Sequence, residues 1–145
     1  MTDGGRTVYG GGGISPDEQF VPKWDRLETD LVRKYAFFNF AKHYFGNKEA
    51  KLPKGWVPDE AILNQFHDFI LEQGFKFTEA EFTMDHAWLK TYLQREMYIT
   101  AFSIDESRRI AIETDPMVER AIDAMPKAKA LLDTSKKILA QRMVK

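Results

Sequence analysis

Four consecutive glycines, Gly10 to Gly13, separate a short strand-like run, Arg6 to Tyr9, from the turn signal Ser15-Pro16-Asp17. No other feature limits the fold of this chain so strongly. Val8 and Tyr9 suit a pleated strand, but one short ribbon buries too little apolar surface to stand alone in water. No second clear strand lies nearby, so the strand's partners are expected from elsewhere. Ser15 to Glu18 has capping-box spacing, with Pro16 at the first helical position. Pro22 follows too soon for that helix, because the residue before a proline avoids helical angles. Residues 1–22 therefore read as an extended arm, and an unpaired strand edge there would seek a partner.

From residue 23 onward the apolar residues recur at helical spacing. A first helix is expected from about Asp25 to Phe45, with Leu27, Leu31, Tyr35, Phe38 and Phe45 on one stripe. Phe37, Phe40 and Tyr44 widen it, and a stripe so broad implies more than one neighbour. Gly46 is placed for a left-handed cap, and residues 47–57 read as a polar loop. Pro58-Asp59-Glu60 opens a second helix with carboxylates at its positive end, burying Ile62, Phe66, Phe69 and Ile70 and stopping at Gly74. Thr78 to Glu81 repeats the capping-box pattern. Asp85 is expected to cap a third long helix, carrying Trp88, Leu89, Tyr92, Leu93 and Met97 as its apolar positions. Ser103 starts a fourth, to about Glu113. Asp115-Pro116 opens a fifth, with Val118, Ala121, Ile122 and Met125 inward, which Pro126 breaks or kinks. A last helix, to about Met143, carries Leu131, Leu132, Ile138 and Leu139. The fold class expected is mainly α: an irregular bundle of five or six helices (residues 23–145) behind an extended glycine-rich arm.

Hydrophobic residues make up 43% and charged residues 30% of the 145, a balance that suits a packed domain rather than a disordered chain. The net charge of −1 gives no electrostatic case for nucleic acid. The absence of cysteine excludes disulfides and thiolate metal sites. No apolar run approaches the ~20 residues of a membrane span. Charge is unevenly spread. Residues 116–145 hold seven Lys or Arg and three Asp or Glu, a balance of +4, and the remainder carries −5. Lysines late in a terminal helix suit its dipole. They would equally make a basic docking face toward an acidic protein surface or a lipid headgroup layer.

Each candidate chemistry has a plainer explanation. The glycines lack the spacing of a dinucleotide turn and the Gly-Lys-Ser/Thr of a P-loop. His43, His67 and His86 form no His-Glu-x-x-His or bundle di-iron pattern, and read as core-edge or surface residues. The neighbours His67-Asp68 and Asp85-His86 diverge by about 100° around a helix and are not expected to share a face. Ser15, Ser103, Ser107 and Ser135 stand in no nucleophile elbow, and none has lysine three residues on. Glu79 and Glu81 sit at a helix start, where carboxylates are favoured without any acid–base role. No catalytic, cofactor-binding or metal residue is assigned.

The stretch Gly5-Arg6-Thr7-Val8-Tyr9-Gly10-Gly11-Gly12-Gly13-Ile14-Ser15-Pro16-Asp17 resembles the end of the protease domain in the C-terminal processing (tail-specific, carboxyl-terminal) peptidases. Asp115-Pro116-Met117-Val118-Glu119-Arg120-Ala121 is similar to an Asp-Pro-x-Val-x-x-Ala segment near the C-terminus of longer members. The resemblance implies that this chain is the C-terminal helical region of such a serine peptidase of the cell envelope or periplasm. The family's nucleophilic serine, its lysine base and its PDZ domain would then lie upstream. The implied role is non-catalytic: assembly, regulation or substrate enclosure. Implied partners are the protease and PDZ parts of the parent, the parent's protein substrates and a homo-oligomer, with no cofactor. The alternatives are a stand-alone helical protein-binding adaptor and a small independent enzyme using His or Glu.

Overall fold

The computed structural model describes residues 16, 18–47 and 49–143. The glycine run and the strand-like Arg6–Tyr9 lie outside them, as do Ser15 and Asp17 of the Ser15–Glu18 pattern. Among the described residues the architecture is mainly α, with seven helices and no strand. Pro22–Asp115 forms one compact unit; the described residues before Pro22 and after Asp115 form another.

In the first unit, helix α1 (Arg26–Arg33) begins at a full capping box. The Glu28 backbone N–H donates to Asp25 Oδ1 at 2.8 Å, and the Asp25 N–H donates to Glu28 Oε2 at 3.0 Å. The expected single helix to Phe45 is instead two. Tyr35 takes a left-handed conformation, φ 56° and ψ 35°, and α2 runs from Ala36 to Phe45. The break shifts the helical phase. Tyr35 and Phe38, expected on the buried stripe, are 71% and 52% exposed. Phe37, Phe40 and Phe45 are buried as expected, and Ala36 and Ala41 join them. A left-handed non-glycine residue costs about 1–2 kcal/mol. Tyr35→Gly is therefore expected to stabilise this unit by roughly 1 kcal/mol, raising its melting temperature by a few degrees; thermal denaturation followed by circular dichroism checks it.

The core is aromatic. Phe37 stacks on Phe66 with centroids 5.0 Å apart, and Phe40 meets Phe66 and Phe69 edge-on at 5.2 and 5.5 Å. Phe66 and Phe69 come from α3 (Glu60–Glu72), whose Asp59 side chain accepts from the Ile62 N–H. Gly46 and Gly74 follow α2 and α3 with positive φ, as a chain reversal at a helix end favours. The capping box at Thr78 starts α4 (Glu79–Met84), and Ser103 caps α6 (Ile104–Glu113). Between them, α5 (His86–Ala101) buries Leu89, Leu93, Met97 and Tyr98. The Trp56 carbonyl accepts from Gln94 Nε2 at 2.9 Å and from the Tyr98 hydroxyl at 3.1 Å, pinning the long loop before α3 onto α5.

In the second unit, α7 runs unbroken from Pro116 to Met143 with Pro126 inside it, so the two helices expected there are one. Pro126 removes a single backbone donor, and on an exposed helix water can satisfy the freed carbonyl. The face expected to turn inward does not: Val118 is half-buried, while Ala121, Ile122 and Met125 are exposed. Glu18 accepts from Lys127 Nζ at 2.7 Å, and Arg120 lies over the Phe20 ring at 5.5 Å.

Candidate functional site

Two histidine–carboxylate pairs line a cleft of about 460 Å³ between α3, α4 and the start of α5. On α3, Glu60, Asn64 and His67 follow one another at helical spacing and so share one face. Facing them are Glu79, Phe82 and Thr83 of α4, and His86. His67 Nε2 lies 3.0 Å from Glu79 Oε1, and His86 Nε2 lies 3.0 Å from Glu60 Oε2. His67 Nδ1 is 3.1 Å from Asp68 Oδ1. Against the expectation for sequence neighbours, these two side chains do meet, because a ring and a short carboxylate can bend toward each other around the helix. The His67 ring packs edge-on against Phe77 and Phe82, 5.4 and 4.9 Å away.

Burial pulls the His67 pKa down, but the hydrogen bonds its protonated ring donates to Asp68 and Glu79, and then their charges, carry it above the ordinary value. A base whose folded pKa is raised contributes stability that is full below the unfolded pKa and lost as pH rises through the folded one. In an NMR titration of the imidazole signals, His67 is expected above a free histidine, and Glu79→Gln should lower its pKa.

The cleft's chemistry is that of a clasp. Each imidazole Nε2 already faces a carboxylate. The Thr83 hydroxyl donates to the Glu79 carbonyl at 2.7 Å, so the cleft's one hydroxyl is engaged. The two pairs tie α3 to α4 and to α5. Among the described residues no cluster of three or more His, Cys, Asp or Glu is arranged to hold a metal ion, and no helix is long and apolar enough to cross a membrane.

A second group is buried nearby. Asp85 closes α4 and precedes α5, but its side chain makes no capping bond, contrary to the sequence expectation. Its backbone is already near-helical, φ −88° and ψ 2°, whereas a capping side chain needs the extended conformation that Asp25, Asp59, Thr78 and Ser103 adopt. Asp85 Oδ2 is buried without a hydrogen-bond partner. Burial, then the hydrogen-bonded Asp25 carboxyl, then the charges of Asp25, Glu28 and Glu81 push the Asp85 pKa up to about 7. Arg26 pairs with Glu81 at 3.0 Å and donates to the Lys76 carbonyl at 3.1 Å.

The remaining residues weighed in the sequence are scattered. His43 is exposed on α2 with its ring 5.2 Å from Phe69. Ser103 is a cap, Ser107 is buried on α6, and Ser135 is half-buried on α7. Ser15 lies outside the described residues. Glu81 completes the Thr78 capping box and pairs with Arg26. The Asp-x-x-Glu at Asp25–Glu28 is a capping signal within one turn; the histidine clasps span 12 and 26 residues and leave no local signal.

Residues 27–84 match the family model described as the C-terminal helical domain of a probable PDZ-protease. That span runs from α1 to the end of α4 and includes Phe37, Phe40 and Phe66 of the core. No curated protein and no solved structure matches the chain.

Proposed function

We propose, on the premise of that match, that this chain is the non-catalytic C-terminal helical portion of a serine-type carboxyl-terminal processing protease of the cell envelope or periplasm. Its work is to support assembly, regulation or substrate enclosure for the catalytic and PDZ parts of the parent, which cuts the tails of protein substrates. The observation that carries this reading is the match over residues 27–84. The likeness of the glycine-rich arm and of the Asp115-Pro116 segment to the same class of peptidase supports it from outside that span. The cleft chemistry also supports it, since both histidines are spent on joining helices.

Antibody detection of the native gene product tests the reading. A polypeptide well above 16.8 kDa that labels with a serine-directed probe is expected; a native product of 16.8 kDa would overturn it and favour the stand-alone adaptor. Peptidase turnover by the isolated chain would equally overturn its non-catalytic part.

A further inference from the structure

The geometry points to α7 as a helix that lies on an anionic lipid surface through its stretch from Met125 to Leu139. At the turn of an α-helix, Met125, Ala128, Leu131, Leu132, Ile138 and Leu139 fall within an arc of about 140°. Ser135 is the one polar residue inside that arc. Met125, Leu131, Leu132 and Leu139 are 65%, 42%, 53% and 39% exposed. The segment before Pro22 lines a hollow with Met117, Arg120, Ala121 and Ala124 and reaches Lys127 through Glu18. Its footing is therefore mostly N-terminal to this face.

Charge identifies the occupant. Lys129 and Lys136 border the arc on one side, and Lys127 borders it on the other. Glu119, Asp123 and Asp133, the acids of this helix, all fall on the opposite side, with Lys137. Asp133 stands four residues after Lys129 and three before Lys136, a spacing at which helices pair charges. Yet neither lysine makes an ion pair among the described residues. A groove in a protein asks only for the apolar anchors. A planar layer of phosphates asks in addition for cations along the edge of the face and acids turned away from it, and α7 supplies both. The lysine stems cover the rim of the apolar arc while their ammonium groups reach the headgroups. Because α7 is not apolar enough to cross a membrane, it lies in the plane of the interface. This attachment depends on α7 alone, so a native product of 16.8 kDa, which would sink the protease reading, leaves it standing.

Vesicles of equal parts phosphatidylglycerol and phosphatidylcholine should carry the full chain upward in a flotation gradient, and vesicles of phosphatidylcholine alone should not. Lys129→Gln/Lys136→Gln should weaken the binding about tenfold, and Lys137→Gln, on the back, should change it by no more than about twofold. Leu132→Gln/Leu139→Gln should abolish it. A chain that ignores both kinds of vesicle overturns the proposal, as does one that binds both alike or one in which Lys137→Gln costs as much as the rim pair. The absence of cysteine allows a second test that needs none of these variants to fold. A polarity-sensitive dye on Ala128→Cys, within the arc, should shift to the blue when the anionic vesicles are added, and the same dye on Ala130→Cys, on the back, should not. Binding that moves neither dye would mean capture by charge alone, as by an acidic protein surface, and would overturn the lipid assignment; equal shifts at both positions would overturn the assignment of the face.

Discussion

Phe66→Ala is expected to cost the Pro22–Asp115 unit about 3–5 kcal/mol, the range for removing a fully buried aromatic ring. Phe66 is wholly inaccessible, and its ring is shared by Phe37 and Phe40, which reach it from the other side of the α2–α3 contact. Truncation would leave both rings facing a void inside a core cluster whose other members, Leu63, Ile70 and Leu89 among them, are themselves buried. A domain of this size is stable by ~5–15 kcal/mol, so the loss is a large share of the whole. Urea denaturation monitored at 222 nm measures it. Phe38→Ala is the control: the same chemical deletion at a half-exposed position of the same helix pair should change stability by no more than about 0.5 kcal/mol. Equal losses at the two sites would mean that the rephasing of α2 by Tyr35 is wrong.

Asp85→Asn is expected to stabilise the protein at pH 8 and to leave it nearly unchanged at pH 4. A carboxyl whose folded pKa is raised to about 7 binds its proton more tightly folded than unfolded. Its contribution is therefore full below the ordinary carboxylate range, and stability falls as pH climbs from there to about 7. Above that, the folded state holds a desolvated charge facing Asp25, Glu28 and Glu81, and Arg26 is occupied by Glu81. The amide removes the charge at constant shape, and Oδ2, which has no partner to lose, becomes the site of change. The full linkage of such a shift would approach ~4 kcal/mol; with relaxation and water screening, a gain of roughly 1–2 kcal/mol at pH 8 is the expectation. Thermal melts of both proteins across pH 4–8 read it directly. A variant less stable than the parent at pH 8 would mean that the Asp85 carboxylate has a cationic partner, or a hydrogen-bond donor other than the Asp25 carboxyl.

Much of the secondary structure was legible for local reasons. Thr78-x-x-Glu81 and Ser103 each satisfy a helix's free N–H groups within one turn, and Gly46 and Gly74 supply the positive φ that ends the preceding helices. The break at Tyr35 was not legible. Neither Lys34 nor Tyr35 is a helix breaker, and the stripe through Tyr35 and Phe38 reads as continuous. Packing decides it: the left-handed turn lets Leu27 and Leu31 of α1 and Phe37 and Phe40 of α2 enter the same core. The histidine clasps were hidden for a related reason, since each joins residues on different helices that only the packed unit brings within 3.0 Å.

By itself, then, the order of residues determined that this chain is helical and where most helices begin and end, because capping, glycine turns and periodicity act within a few residues. Which rings share the core, that Asp85 Oδ2 is left without a hydrogen-bond partner beside other carboxyls, and that the apolar face expected inward on α7 is largely exposed were decided only in three dimensions. Burial and electrostatics depend on which surfaces meet, and no local spacing carries that information.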